Sequence, residues 1–412
     1  MNLLRFTTAG SVDDGKSTLI GRLLFDSKSV FIDQMEAVEK TSQRKGLERI
    51  DFSLLTDGLK DEREQGITID VAYRYFATPT RKFIIADTPG HIQYTRNMVT
   101  GASTADAALI LVDARNGVVE QTRRHSYIAG LLGIPHVIVC INKMDLVDFD
   151  QAAYNRIVAD YTHVKERAHL QHVDFLPISA LLGDNVVEPS SQMPWYEGPT
   201  LLHHLETLEV ARPEATGDFR FPVQTVIRPH SDAFHDFRGY AGRVASGSLH
   251  IGGTVRAQPS GLTSTVAAIY IGDRQVTEAQ AGQSVVITLA DDVDISRGDT
   301  LVAGASPRLE QAPLATLCWL DNQPQRPGSK YVIRQGSADA RAMIAQVEGV
   351  LDIHALEFQA PEGALTTNSI SRVQLKTTKP LVMDSYRQNR ITGSFILVDE
   401  GSGATVAAGM LE

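Results

Sequence analysis

The sequence is poor in the features that mark secreted and membrane proteins. Its 412 residues include only two cysteines, Cys140 and Cys318, and each lies in an apolar stretch. We interpret both as buried thiols of a protein in a reducing compartment. No apolar run approaches the roughly 20 residues that a membrane-spanning helix needs, and the N-terminus lacks a secretion-signal pattern. These absences predict a cytoplasmic protein with no membrane partner.

An excess of basic residues is also missing. The formal net charge of −10 leaves no basic footprint of the kind that nucleic-acid-binding domains carry, so no nucleic-acid partner is expected. With 43% hydrophobic and 21% charged residues, the composition is that of a globular protein with a sizeable core. The length predicts about three domains.

Two patterns divide the chain. The first part alternates helical segments with short, almost wholly apolar strands such as residues 107–112 and 136–141, which is typical of a parallel sheet covered on both faces. From about residue 194, short strands broken by glycine-rich turns indicate small barrels or sandwiches. We predict an α/β domain with a mostly parallel sheet over residues 1–210, followed by all-β barrel domains over 211–307 and 308–412.

Near the start, the sequence Gly-Ser-Val-Asp-Asp-Gly-Lys-Ser fits the phosphate-loop pattern G-x-x-x-x-G-K-[ST] between a predicted strand and a predicted helix. Glycines let the backbone approach phosphates, and helix N-terminal amides donate to them. Lys16 can reach the β- and γ-phosphates, and the Ser17 hydroxyl can bind Mg²⁺. A chance glycine turn is the alternative, but the strand–loop–helix context favours a nucleoside triphosphate site. The predicted contacts are Gly10, Ser11, Val12, Asp13, Asp14, Gly15, Lys16, Ser17 and Thr18.

Two further segments suit the phosphate end of such a site. Asp87 follows an apolar strand, where a carboxylate can hold the water shell of Mg²⁺, and Gly90 offers an amide to a γ-phosphate. Alone, this spacing is ordinary turn chemistry. Thr68 offers a hydroxyl for Mg²⁺ and an amide for the γ-phosphate in a segment that a triphosphate would order. The alternative for Thr68 is a loop that enters a strand.

Another two segments suit the base. Asn142-Lys143-Met-Asp145 follows a strand, and the Asp145 carboxylate can accept two hydrogen bonds that guanine offers and adenine does not. The alternative is that Asp145 caps a helix. Ser179, Ala180 and Leu181 follow the next strand, where the base would need a backbone amide.

Four of these segments follow one another along the chain: the phosphate loop, Gly-Ile-Thr68, Asp87-Thr-Pro-Gly-His91 and Asn142-Lys-Met-Asp145. In this order they resemble the translational GTPase superfamily typified by elongation factor Tu. The resemblance covers the whole chain, because that superfamily carries two β-barrels after its P-loop GTPase domain. It implies GTP and Mg²⁺ as cofactors, with Ser17, Thr68 and (through water) Asp87 at the metal. It also implies that His91 positions the attacking water and acts with Thr68 and Lys16 in catalysis.

Longer stretches are similar to one branch, the large GTPase subunits of bacterial sulfate adenylyltransferase. Ser11 and Asp14 stand where elongation factors usually carry histidines, and the similarity extends over residues 57–70, 91–98, 121–127, 237–242, 389–399 and 404–410. This resemblance implies that GTP hydrolysis here drives the joining of ATP and sulfate to adenylyl sulfate and diphosphate by a separate small subunit. Because the sequence stops at Glu412, we expect no fused adenylyl-sulfate kinase. The alternatives are a GTPase that delivers an RNA and a regulatory GTPase scaffold.

Several histidines have the spacing of a metal cluster. His163, His169 and His172 lack the carboxylate or thiol companions expected at a zinc site. We interpret them, and the pair His203-His204, as solvated.

Overall fold

The computed structural model describes residues 2–28, 32–44, 50, 52–55, 70–91, 94–210, 217–229 and 237–412. The chain divides into two compact units. One comprises Met1–Val210 with Asp352–Glu357, and the other comprises Ala211–Leu351 with Phe358–Glu412.

A six-stranded sheet forms the centre of the first unit. Its strands are β1 (Asn2–Ala9), β2 (Ala72–Ala77), β3 (Arg81–Asp87), β4 (Ala107–Asp113), β5 (His136–Asn142) and β6 (His172–Pro177). Their order is β2-β3-β1-β4-β5-β6. All neighbours run parallel except β2, which pairs with β3 in the antiparallel direction at the edge.

Six α-helices and two short 3-10 helices accompany this sheet in the described ranges. The α-helices are α1 (Lys16–Asp26), α2 (Ile32–Arg44), α3 (Thr95–Ala102), α4 (Glu120–Leu131), α5 (Gln151–Arg167) and α6 (Leu201–Thr207). The 3-10 helices are Phe52–Leu55 and Met144–Val147. Asp150 caps α5 by accepting from two backbone amides, and the Thr200 side chain caps α6.

The central strand explains the apolar runs in the sequence. Leu109 and Leu111 of β4 join a core that also contains side chains of α1 and α6. The alternate residues Ile110 and Val112 are also fully buried. Because both faces of β4 are covered, the strand is apolar throughout rather than alternating.

The second unit contains two closed barrels. The strands in the region of the first are β7 (Phe219–Ile227), β8 (Gly239–Arg243), β9 (Ser248–His250), β10 (Thr254–Gln258), β11 (Thr263–Ile271), β12 (Arg274–Val276), β13 (Glu278–Gln280), β14 (Ser284–Leu289) and β15 (Thr300–Ala303). Of these, β9 and β13 form a separate two-stranded sheet. The order β10-β15-β7-β8-β14-β11 closes because β10 also pairs with β11. Its core includes Phe221, Tyr240 and Ile269.

The second barrel follows directly. The strands in its region are β16 (Arg308–Glu310), β17 (Leu314–Trp319), β18 (Tyr331–Gln335), β19 (Ala338–Asp352), β20 (Glu357–Gln359), β21 (Ile370–Thr377), β22 (Leu381–Met383), β23 (Ser394–Asp399) and β24 (Thr405–Leu411). Of these, β16 and β22 form a separate two-stranded sheet. The order β18-β23-β24-β17-β21-β19 closes through the pairing of β18 with β19. Leu317, Ile333 and Leu397 are fully buried in its core.

The predicted fold class is confirmed: an α/β domain with a mostly parallel sheet precedes two β-barrels. The exact divisions at 210/211 and 307/308 stay predictions. Helix α2 was not expected, because its sequence reads only as a charged segment within a long polar stretch. Both cysteines are free and buried, as predicted. No helix in the described ranges is long and apolar enough to cross a membrane, and the cytoplasmic location stays a prediction.

Arg81 fastens the end of helix α6 to the sheet. Its Nη1 donates to the carbonyl oxygens of Leu205 at 2.9 Å and Leu208 at 2.6 Å. Only 3% of Arg81 is exposed. The carbonyls of the last helical turn have no hydrogen-bond donors within the helix. A buried guanidinium there donates to carbonyls that would otherwise be left without a partner.

Replacing this cap should destabilise the first unit. We expect Arg81→Met to lower the free energy of unfolding by about 2–4 kcal/mol, because several carbonyls lose a charged donor at once. Urea denaturation followed by circular dichroism measures the change. The control is Lys82→Met at the adjacent exposed position; an equal loss in both variants would contradict the capping role.

Candidate functional site

The phosphate loop joins β1 to α1 at the carboxyl edge of the sheet. Lys16 is the first residue of α1, so the amides of the loop and of the first helical turn point to one place. Gly15 has a φ of 90°, a left-handed conformation. A Cβ atom at this position would also lie 2.5 Å from the Nδ2 of Asn142. Glycine is required here for both reasons.

Lys16 lies inside the loop. Its Nζ donates to the carbonyl oxygen of Gly10 at 3.1 Å, and the residue is 8% exposed. Burial lowers the pKa of Lys16, while the negative charges of Asp87 and Asp14 act in the opposite direction. An ammonium held in this loop is placed for an anion rather than for solvent.

The turn after β3 lies against the same loop. A Cβ atom on Gly90 would collide with the carbonyl of Gly10 and the ammonium of Lys16. Asp87 ends β3, is 2% exposed, and accepts from the Thr8 hydroxyl at 3.2 Å. The parallel register pairs Thr8 with Asp87, so the sheet itself fixes this carboxylate beside the phosphate loop.

Asn142 links the phosphate loop to the predicted base loop. Its Nδ2 donates to the carbonyl oxygen of Asp14 at 2.8 Å, and its Oδ1 accepts from the amide of Ala180 at 2.9 Å. The residue is 2% exposed. Both ends of one buried amide are therefore satisfied by different loops, which sets their separation.

The residues around Asp145 form the other half of the predicted base site. The Ser179 hydroxyl donates to Oδ1 of Asp145 at 2.6 Å and accepts from the amide of Leu182 at 3.2 Å. Lys143 has a φ of 63° and donates from Nζ to the carbonyl of Asp13. The predicted base contacts thus lie directly beside the phosphate loop.

Sequence reasoning missed Asp113 at the end of β4. Its carboxylate lies 3.0 Å from Nζ of Lys143 and accepts from Arg115 at 2.7 Å. Burial raises the pKa of Asp113, but the hydrogen bonds from Arg115 and Lys143 outweigh it and hold the value at about 2. The available signal was a carboxylate closing an otherwise apolar strand.

The other two predicted catalytic residues are His91 and Thr68. His91 is exposed, follows Gly90 directly, and its ring centroid lies 6.1 Å from that of Tyr94. Thr68 lies outside the residues that the structure describes.

A histidine group lies at the opposite edge of the sheet. His136 and His172 begin neighbouring strands and stack with ring centroids 5.3 Å apart. His204 is 18% exposed in its side chain, and its Nε2 lies 3.2 Å from the carboxylate of Asp174. The interpretation of His204 as solvated is therefore wrong. Across the described ranges, no group of three or more histidine, cysteine, aspartate or glutamate side chains is arranged to hold a metal ion.

Family models match both ends of the chain. The model of the elongation factor Tu GTP binding domain matches residues 1–212. The model of the GTP-eEF1A C-terminal domain-like family matches residues 313–412.

Relatives that match nearly the whole chain identify a more specific family than the domain models do. Sulfate adenylyltransferase subunit 1 of Teredinibacter turnerae is 51% identical and covers 99% of this chain and 87% of that protein. The subunit 1 of Cellvibrio japonicus is 52% identical, with coverage of 99% and 86%. The chain belongs to the sulfate adenylyltransferase subunit 1 family.

The chain also matches a longer bifunctional enzyme and a solved structure. The bifunctional enzyme CysN/CysC of Mycobacterium tuberculosis is 53% identical and covers 99% of this chain and 67% of that protein. A solved structure of Sup35 complexed with GDP is 25% identical and covers 100% of this chain and 93% of that chain, with a TM-score of 0.45. The matched GTP binding domain supports GTP binding by this member of the subunit 1 family; the single-residue contacts stay predictions.

Asp14 makes the phosphate loop of this subunit 1 family member sensitive to pH. The carboxylate accepts from the amide of Ser11 at 2.5 Å, and the residue is 4% exposed. Burial raises the pKa of Asp14 to about 6, although the Ser11 amide and Lys16 act in the opposite direction. Because this pKa exceeds the ordinary value of 3.8, the folded state holds the proton more tightly than the unfolded chain. The associated stability is complete below about pH 4 and is lost as the pH rises through about 6.

An uncharged isostere should remove this dependence. Asp14→Asn keeps an oxygen that can accept from Ser11, so we expect it to unfold less readily than the unmodified protein at pH 7.5. The gain should be on the order of 1–3 kcal/mol and should shrink toward pH 5. Urea denaturation without nucleotide at pH 5.0, 6.0 and 7.5 measures it, with Asp13→Asn as the exposed neighbouring control. A gain that stays constant over this range would contradict the assignment.

Proposed function

We propose that GTP hydrolysis at this phosphate-loop site drives the synthesis of adenylyl sulfate from ATP and sulfate on a separate small subunit. By its family, the chain is the GTPase subunit of a sulfate adenylyltransferase in sulfate assimilation. The proposal concerns the partner, the metal and the residues that act.

The observation that carries the proposal is the convergence of the predicted segments at one edge of the sheet. Lys16, the Asp87–Gly90 turn and the loop that begins at Ser179 all surround Gly10 to Gly15, either directly or through Asn142. Phosphates bound at the N-terminus of α1 would leave the base next to Asp145. That arrangement suits a guanine nucleotide.

The phosphate end supplies charge and orientation. Lys16 and the loop amides hold the β- and γ-phosphates and stabilise the charge that develops on transfer. The proposed oxygen donors for Mg²⁺ are the Ser17 hydroxyl, Thr68 and, through water, the buried Asp87 carboxylate. The ion would neutralise phosphate charge when bound. His91, exposed beside Gly90, orients the attacking water.

The coupling requires two states that both subunits can recognise. Formation of the phosphate–sulfate anhydride is strongly uphill, so it must be linked to a favourable reaction. Binding of ATP and sulfate by the small subunit must alter the position of His91 and Thr68, and GTP must alter the small subunit in return, because linkage is reciprocal.

The base contact can be tested by replacing one carboxylate oxygen of Asp145 with an amide nitrogen. We expect Asp145→Asn to weaken GTP binding by about 10–100-fold, because one of the two carboxylate acceptors for guanine is replaced by a donor. The same variant should gain affinity for xanthosine triphosphate, whose 2-oxygen accepts from the new amide. Equilibrium binding to both nucleotides checks this. A variant that still prefers GTP would refute the contact.

The coupling can be tested by reconstitution with the small subunit. We expect diphosphate release to depend on sulfate and to rise when GTP is added, and GTP hydrolysis to rise when ATP and sulfate are present. His91→Ala should bind GTP with nearly unchanged affinity yet lose about 100-fold or more of its hydrolysis rate and all of the GTP-driven gain. A rate of GTP hydrolysis that does not change when ATP and sulfate are added would refute the coupling. A normal rate of GTP hydrolysis in His91→Ala would refute the water-positioning role alone.

A further inference from the structure

Arg22 holds the same predicted base loop that Asn142 contacts. It lies on α1, two helical turns from the phosphate loop. Its Nε donates to the carbonyl oxygen of Ala180 at 3.4 Å, and its Nη2 donates to that of Leu181 at 2.9 Å. One planar guanidinium therefore fixes two successive peptide groups.

The guanidinium is itself fixed. Its Cζ lies 4.7 Å from the centroid of the Phe52 ring, and its Nη1 lies 3.8 Å from the carboxylate of Asp26. Only 14% of the side chain is exposed. Gly183 has a φ of 93°, and a Cβ atom there would lie 2.9 Å from Nη2. The base loop thus approaches Arg22 as closely as its backbone allows.

The remaining peptide groups of the loop are almost all engaged. The amide of Ala180 donates to Asn142, that of Leu182 donates to the Ser179 hydroxyl, and that of Gly183 donates to the carbonyl of Ser179. Within the part of the chain that the structure describes, the amide of Leu181 has no hydrogen-bond acceptor. Leu181 is also 46% exposed.

Peptide geometry connects this amide to Arg22. In a planar trans peptide, the carbonyl and the amide point in opposite directions. The carbonyl of Ala180 shares its peptide plane with the amide of Leu181. Since Arg22 binds that carbonyl, the Leu181 amide points away from Arg22.

We propose that Arg22 is a positioning residue for guanine recognition: it aims the amide of Leu181 at the 6-oxygen of the base. The inference rests on the proposed guanine contact at Asp145. Arg22 does not touch the nucleotide; it acts through the loop. Guanine specificity then draws on α1, the helix that also bears the phosphate-binding Lys16.

The test compares two nucleotides in four proteins. GTP carries the 6-oxygen, whereas 2-aminopurine riboside triphosphate keeps the 2-amino group but lacks that oxygen and, with it, the N1 proton; each variant is therefore compared with the unmodified protein for the same nucleotide. Arg22→Met removes both donors and keeps the aliphatic stem, and Arg22→Lys keeps one donor. The control, Asp26→Asn, weakens only the ion pair at 3.8 Å and keeps both carbonyl contacts and the Phe52 ring contact of Arg22.

We expect Arg22→Met to weaken GTP binding about tenfold and binding of the analogue less than about twofold. Arg22→Lys should recover part of the GTP affinity, and Asp26→Asn should resemble the unmodified protein for both nucleotides. At saturating GTP, kcat of Arg22→Met should be unchanged while KM rises. Thermal denaturation confirms that each variant is folded.

Equal weakening of both nucleotides would overturn the proposal, because a general loosening of the site does not distinguish the 6-position. Unchanged GTP affinity in Arg22→Met would overturn it too. Asp145→Asn separates this failure from failure of the base contact. If that variant switches to xanthosine triphosphate while Arg22→Met shows no dependence on the 6-oxygen, only the role of Arg22 is lost.

Discussion

The buried amide of Asn142 is the constraint on which the candidate site depends. An amide side chain has one acceptor and one donor group, and here each is bound by a different loop, at Ala180 and at Asp14. Neither loop can move by much without leaving a polar group unsatisfied in the interior. The distance between the phosphate loop and the predicted base loop is therefore set by contacts within the protein itself. Such preorganisation lowers the entropy lost on binding.

The parallel sheet supplies the frame for this constraint. Asp87, Asp113 and Asn142 are the last residues of their strands, and Thr8 is the last but one of the neighbouring β1, so all four lie at one carboxyl edge. This is where open α/β sheets bind ligands. Charge is balanced locally, since the buried Asp113 contacts both Lys143 and Arg115. Burying several carboxylates near a phosphate site is tolerable only with such partners.

Among the described residues, the two barrels leave few unpaired strand edges. Each closes its sheet through one extra pairing, β10 with β11 and β18 with β19, so the barrel strands present no open edge along that closure. Each also has its own core, around Phe221 in one and Leu317 in the other. Residues 313–412 match a family model in their own right, as expected for a domain with its own core.

The sequence by itself determined the fold class and the order of the site segments. Apolar strands such as β4 and the phosphate-loop pattern are local signals, because the residues that produce them are adjacent in the chain. The long stretches shared with sulfate adenylyltransferase subunits likewise needed no coordinates. Helix α2 escaped detection because most of its residues are charged or polar, and its large apolar residues are only Ile32, Met35 and Val38.

Only the tertiary structure decided which side chains meet. Asp113 and Lys143 lie on different strand ends, Arg22 and Leu181 are separated by 159 residues, and His204 finds Asp174 across the sheet edge. No local pattern carries these contacts, since they depend on strand order and register. The raised pKa of Asp14 has the same origin: the sequence places a carboxylate in the phosphate loop, but burial by distant segments determines how tightly it holds its proton.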